Sequence, residues 1–396
     1  MSNIKLLLFA AIASLIAGQL IRINLTQAGA VTITDIFAGA AVVTFAYHSL
    51  LKKVSINLPK SIFLPFALFI ISATCSTALA LNSFTSGQVL IALFFTVRLV
   101  TYIFLCFVVV NTIKKNEVQK WVKILLITGT AFAAIGLFQF MFFPNLTSLQ
   151  AFGWDPHVYR LVSTTLDPNY TGLILTFFTS LAVSLYLFKK NKLYLFLAGL
   201  FVVAILLTFS RSSYLALLVA MLTIGSIKSP KTFFIVITIF ILSFIFVPQI
   251  KDRIIGAFLV DETANARIIS WHKAFAVFSK NPIFGVGYDT YRFAQIKYGF
   301  VPDDDLAGGH SGAGSDSSFL LVLATTGVVG FTFFTAMIVS LIFFLKKNLK
   351  NNYLSLAVFA SFMALLFHTQ FVNSFMFPQI MLIFWFLVGL SYVSNN

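Results

Sequence analysis

The side chains equipped for chemistry in this chain are few, and two types of cation are kept apart. Sixteen of the 20 lysines lie at positions 5, 52, 53, 60, 114, 115, 120, 123, 189, 190, 192, 228, 231, 346, 347 and 350, in the N-terminal segment and every second polar connector. Six of the seven arginines (Arg22, Arg160, Arg211, Arg253, Arg267 and Arg292) fall in the alternate connectors, and Arg98 lies inside an apolar run. Lysine is a point charge, whereas the planar guanidinium holds phosphate or carboxylate through two parallel hydrogen bonds. The segregation points to an anion handled on the arginine side. The longest polar connector, Gln249 to Asp316, carries eight of the twelve acidic residues, three of the arginines and two of the five histidines. A polar loop of this size on an apolar scaffold is where function concentrates, and it reads as one wall of an active site.

Arg211 sits in Thr208-Phe209-Ser210-Arg211-Ser212-Ser213, a tight turn between two apolar runs. The following helix starts at its back, and helix N-terminal amides with a guanidinium make an anion site. Arg267 is expected in the first turn of a helix capped by Thr263 or Asn265 and running to about Lys280, with Ile268, Trp271, Phe275 and Phe278 as its packing face. Arg160 precedes Asp167-Pro168-Asn169, a helix start that needs no arginine, so a polar substrate group is one role open to it. Arg98 stands mid-run, where an arginine costs roughly 2.5–3.5 kcal/mol. It must face protein, water or a bound headgroup; Tyr102, one turn on, is a partner, and both a substrate contact and a structural pair remain open.

Ser315 reads as a helix N-cap with Asp316 opening DSSFLLVLATTGVVG. A carboxylate there is stabilised as the anion, which suits an acceptor and general base. His310, on the glycine-rich segment 308–314, is a second candidate base. Gly285-Val286-Gly287 has no third glycine and no nucleotide-fold context, so it reads as a sharp turn. Asp303-Asp304-Asp305 reads as a solvated acidic turn without calcium-loop spacing, and no metal or cofactor is expected.

The elements that must position these residues are membrane helices. The chain of 396 residues is 59% hydrophobic and only 10% charged, with 48 phenylalanines. Apolar runs recur at about 5–21, 31–51, 61–82, 87–112, 121–143, 169–188, 192–209, 211–227, 231–249, 317–345, 352–373 and 376–393. The expected fold is therefore an all-α integral membrane protein of about 12 transmembrane helices, one polytopic domain over 1–396, with a large extracytoplasmic loop (250–316) between spans 9 and 10. By the positive-inside rule the lysine side is cytoplasmic, with both termini there and the active site outside. The first run has no small-x-small cleavage site and reads as a retained helix. The net charge of +15 follows from this topology and implies no nucleic-acid partner. Cys75 and Cys106 fall inside apolar runs and read as packing residues.

Together the Arg98 run, RLVSTTLDPNYTG, TFSRSS, ARIISWHKAFAVFSKNPIFGVGYDTY, DSSFLLVLATTGVVG and FVNSFMFPQIMLIFWFLVGL resemble the bacterial O-antigen ligase and polymerase family. The resemblance covers the chain from the fourth run to its end, in the family's order. It implies a metal-independent, inverting glycosyltransferase of the bacterial cytoplasmic membrane, moving a glycan from an undecaprenyl-diphosphate carrier to an acceptor hydroxyl. On it, Arg211 and Arg267 would bind the diphosphate, and the residue opening DSSFL would face the acceptor. Ligases carry His-Asn at that opening where this chain has Asp316-Ser317. The partners implied are a lipid-linked oligosaccharide donor, a glycan, lipid or protein acceptor, and the bilayer.

A ligase is the leading reading, and a polymerase of the same family is its alternative. From another class, a transporter or flippase would lean on Arg98 and His368 near the midplane, and a non-catalytic assembly protein would use the loop as a docking surface.

Overall fold

A computed structural model describes residues 2–24, 29–52, 59–301 and 314–396. His310, Asp303-Asp304-Asp305 and most of the glycine-rich segment lie outside the described residues. Each expected apolar run is helical: α1 (Ser2–Ala13), α2 (Ile33–Lys52), α3 (Lys60–Leu79), α4 (Ser86–Thr112), α5 (Val118–Phe142), α6 (Pro168–Lys189), α7 (Lys192–Leu207), α8 (Arg211–Ile227) and α9 (Pro230–Phe246), then α13 (Ser318–Leu345), α14 (Tyr353–His368) and α15 (Pro378–Asn395). Between α9 and α13 the polar connector is itself helical, as α10 (Pro248–Phe258), α11 (Glu262–Lys280) and α12 (Tyr291–Lys297). A short antiparallel hairpin, β1 (Arg22–Asn24) with β2 (Ala30–Thr32), joins α1 to α2.

This is an all-α integral membrane protein, but length divides its helices. Among the described residues seven are long and apolar enough to cross a membrane, and α9 with α10 forms an eighth candidate bent by 98°. The helices Ser2–Ile16, Lys192–Leu207, Arg211–Ile227 and Tyr353–His368 are apolar but shorter. The apolar runs over-reported the length of α7 and α14, because their last residues form the turns at Thr208–Ser210 and Thr369–Asn373 instead of further helix.

Side-chain contacts sort the connectors into two ends. At one, Lys5 pairs with Glu117 at 2.6 Å, Lys189 and Tyr353 both meet Gln119, and Lys228 donates to the Lys350 carbonyl. At the other, the Gln19 amide donates to Thr164 O, Arg211 meets Asp261, and the Ser318 amide donates to Thr369 O. The helices run alternately between a lysine end and an arginine end.

The polar connector is fixed to the bundle through a break in α13. Gly327 is non-helical (φ 64°, ψ −168°), about 14 Å along the helix from its start. The break frees backbone groups that in hydrocarbon would cost several kcal/mol each. Residues 282–287 satisfy them: Val286 N and Gly287 N donate to Ala324 O and Thr325 O, and Val328 N and Val329 N donate to Pro282 O and Ile283 O. Ser76 Oγ of α3 reaches the carbonyls of Phe284 and Thr325 at 2.6 and 2.7 Å. The Pro-Ile-Phe-Gly-Val-Gly turn is thus a backbone patch across a broken membrane helix. Gly285 (φ +70°) must be glycine here, since a Cβ would lie 2.3 Å from the Thr325 backbone.

Gly285→Ala should therefore lower stability by on the order of 3 kcal/mol, read as a fall in thermal midpoint of the detergent-solubilised protein. Gly39→Ala, in α2 where an added Cβ meets nothing within 4 Å, is the control. It should leave the midpoint unchanged or raise it slightly, because alanine is the better helix former by about 1 kcal/mol.

Candidate active site

At the arginine end a cavity of about 270 Å³ is bounded by the hairpin, α4, the 154–170 connector, α11, α12, the segment 314–316 before α13 and the turn 372–378. Four of the seven arginines line it, Arg22, Arg98, Arg267 and Arg292, with the carboxylates of Asp155, Asp167 and Asp316.

The face of α11 that meets Asp316 follows from helical spacing: Arg267, Ser270 and Trp271 stand at i, i+3 and i+4. Ser270 Oγ accepts from the Asp316 amide at 3.0 Å, and Trp271 Nε1 donates to the Asp316 carbonyl at 3.3 Å. These two bonds seat the segment before α13 against α11, leaving the Asp316 side chain in the cavity wall. Trp271, expected to pack, does so against Phe371 as well.

Asp316 corrects one expectation. The N-cap of α13 is Ser317, whose hydroxyl accepts from Leu320 N, so Asp316 lies outside the helix and Ser315 does not cap it. Its pKa is pushed up to about 6, by burial first, opposed by the Arg267 guanidinium and reinforced by the negative charges of Asp167 and Asp155. A carboxyl that titrates near neutrality exchanges a proton more readily than one held ionised by a helix dipole.

Arg267 is half-buried, its pKa lowered by desolvation while Asp316 favours its charge. It lies in the second turn of α11 because the cap is Asp261, earlier than the expected Thr263 or Asn265. Arg22 is pushed down by burial and by the neighbouring charges of Arg98 and Arg292. The same two arginines act on Asp289, whose carboxyl burial raises to about 7. The cavity therefore has a cationic pole at Arg22 and Arg292, beside Arg98, and a mixed pole where Arg267 faces three carboxylates.

Arg98 belongs to an ion pair with Asp35 of α2, Nε to Oδ1 at 3.0 Å and NH2 to Oδ2 at 3.0 Å. Its NH2 also donates to Ala30 O, and Tyr102, the expected neighbour, donates instead to Asp35 Oδ1 at 3.0 Å. Arg98 is thus structurally paired and also lines the cavity.

Arg211 and Arg160 are not among the lining residues. Arg211 makes a bidentate pair with Asp261, at 3.0 and 2.9 Å, and donates to Thr263 Oγ1. Asp261 Oδ1 also accepts from Ala264 N, so the pair ties the start of α8 to the start of α11. Arg160, for which a substrate group was one role open, donates to the carbonyls of Thr208 and Phe209 at 3.0 and 3.3 Å. Half-buried there, it braces the strained turn in which Phe209 has φ 49°. That turn in turn sets Asn169, a lining residue: Ser210 and Ser212 donate to its Oδ1 at 2.7 and 3.2 Å.

Asp155, His157 and Asp167 are the one group with metal-ligand spacing among the described residues, their ligand atoms lying within 4.8 Å of one another. His157 is held neutral, its pKa lowered to about 4 by burial and by Arg160, so it has the protonation state a metal ligand needs. Asp167 already has a purpose as the N-cap of α6, its Oδ1 accepting from Asn169 N and Tyr170 N.

Arg22, Arg292, Asp155 and Asn169 were not singled out in the sequence as site residues. The signal for the first two was present in the confinement of arginine to one set of connectors. Asp155 and Asn169 carried no such mark, because each lies beside a proline that explains it as turn chemistry.

Residues 193–335 match a family model described as O-antigen ligase. The match supports the O-antigen ligase and polymerase family. No curated protein sequence matches the chain. The matched stretch runs from α7 into α13 and contains Arg211, Arg267, Arg292 and Asp316, so the ligase-like part supplies α11, α12 and Asp316 to the cavity. Arg22, Arg98 and the 154–169 wall come from outside it.

If the Arg211–Asp261 pair acts by holding α11, then Arg211→Ala and Asp261→Ala should each lower the thermal midpoint. The double variant should fall by less than the sum of the two, since the singles share the ion pair while Asp261 also caps α11 and Arg211 also meets Thr263. Additive losses in that cycle would count against the pairing.

Proposed function

We propose that the chain is a membrane glycosyltransferase of the O-antigen ligase type, transferring a glycan from a polyprenyl-diphosphate carrier to an acceptor hydroxyl at the outer face of the bacterial cytoplasmic membrane. The observation that carries this reading is the convergence on one cavity of Arg267 and Asp316, one guanidinium and one titratable carboxyl, with three further arginines around them. Orientation follows from the lysine end being the cytoplasmic one.

In the proposed reaction the diphosphate lies toward the cationic pole and the acceptor toward Asp316. The acceptor oxygen forms a bond to the anomeric carbon while the bond from that carbon to the phosphate oxygen breaks, with inversion. The acceptor proton passes to the Asp316 carboxylate, and the polyprenyl diphosphate departs with the bonding electrons. Arginines in a site of reduced dielectric stabilise the charge that develops on the leaving group. In this reading Arg267 is the diphosphate ligand that also faces the base, while Arg211 is a positioning residue acting through Asp261 and α11.

A transporter gains little support. Arg98, the charge inside the bundle on which that reading leans, is neutralised by Asp35. A polymerase remains the alternative within the family, and differs only in using a second lipid-linked glycan as acceptor.

Purified protein given lipid-linked oligosaccharide and acceptor should add one glycan per acceptor if it is a ligase and produce a ladder if it is a polymerase. Arg267→Lys should retain the fold and lose about a hundredfold or more in turnover, since lysine cannot reproduce the bidentate contact. Turnover should rise with pH through about 6 as Asp316 ionises, because only the carboxylate accepts the proton. Asp316→Asn should remove that limb and cost about 10²–10⁴ in kcat. Full turnover in Asp316→Asn would eliminate it as the base and turn attention to His310.

A further inference from the structure

A second, apolar hollow of about 180 Å³ opens between α2 and α4 and shares one residue with the active-site cavity. That residue is Arg98. Its α4 wall follows one helical stripe, Phe94, Val97, Arg98 and Thr101 at i, i+3, i+4 and i+7; its α2 wall is Ile36 and Gly39, beside Asp35. Ile36 and Val97 are exposed on the bundle's outer surface, so the hollow faces the hydrocarbon of the bilayer. At its inner end the Arg98 guanidinium lies against the rings of Phe94 and Phe95, 5.2 and 4.8 Å from their centroids, and is tied to Asp35. Thus a polar cavity and a lipid-facing groove meet at a single ion pair.

We infer that this groove receives the hydrocarbon of the donor lipid, the part of the polyprenyl chain next to the diphosphate, with Arg98 marking where head gives way to tail. The inference rests on the reading of the cavity as a lipid-diphosphate site. An anionic head drawn to Arg22 and Arg292, beside the Arg98–Asp35 pair, leaves its tail needing an apolar path, and the groove begins at that pair. Bulk phospholipid fits the place poorly. Arg98 is the thirteenth residue of a 27-residue helix, well below the level of ordinary headgroups. A lipid can lie with its polar junction that deep only where its head is accommodated by protein.

The sequence supplies a plug. An added side chain at Gly39 meets no atom within 4 Å at its first carbon, so Gly39→Phe projects into the groove without a clash at its root. The probe is glycan-free polyprenyl diphosphate carrying a diazirine on its first isoprene unit, applied to the purified full chain in nanodiscs, with inorganic pyrophosphate as competitor. Label is expected on the α2 and α4 peptides containing Gly39 and Val97, displaced by pyrophosphate, and reduced about tenfold or more in Gly39→Phe with the thermal midpoint unchanged. Val97→Phe on the opposite wall replaces it should Gly39→Phe not fold. Equal labelling of the same peptides by a diazirine phosphatidylglycerol, insensitive to pyrophosphate, would make the groove a bulk-lipid contact and overturn the inference. Pyrophosphate-sensitive label confined to other helices would overturn the groove while sparing the lipid-diphosphate reading; no pyrophosphate-sensitive label anywhere would overturn both.

Discussion

A membrane helix can be interrupted only where other groups take over its backbone hydrogen bonds, and here that requirement organises the arginine end of the protein. The break at Gly327 leaves amides and carbonyls that lipid cannot satisfy, and residues 282–287 supply the partners. The connector between α9 and α13 is therefore bonded into the bundle at its middle. Two further attachments complete the restraint: Arg211 grips the start of α11 through Asp261, and Ser270 with Trp271 holds Asp316. With both flanks of the connector fixed, Arg267, Arg292 and Asp316 are presented to one cavity by rigid elements.

Charge is arranged in that cavity so that neither sign is at rest. Arg22 is crowded by Arg98 and Arg292, while Asp316 is raised by its burial and by two other carboxylates despite Arg267. Such a site gains from an anion placed among the arginines, which relieves their mutual repulsion. The same field leaves Asp316 able to take a proton close to neutrality. Lipid-linked glycan transfer needs both conditions at once, a cradle for the leaving diphosphate and an acceptor for the incoming hydroxyl's proton.

Arginines of equal prominence in the sequence turned out to have different work. Arg160 and Arg267 are both connector arginines in recognisable motifs, yet one donates to the carbonyls of a tight turn and the other lines the cavity. Arg211 lies in an apparent anion site at a helix start, and a carboxylate of the chain itself occupies it. In each case the motif correctly named a residue that needs an anionic or carbonyl partner. Whether that partner is substrate or protein depends on contacts 42 to 52 positions away.

The sequence by itself determined the all-α membrane architecture, the two chemically distinct ends, the helix start at Asp167 and the turn-forming role of the 285–287 glycines, because each follows from local composition or from spacing along one helix. It also placed Arg267, Trp271 and Asp316 in a connector rich in polar groups. Only the tertiary structure decided that Asp35 pairs with Arg98, and that Arg22 and Arg292 join Arg267 around one cavity. Those outcomes depend on which helices lie side by side: the free energy of a buried charge is set by neighbours distant in the chain, and no periodicity records who they are.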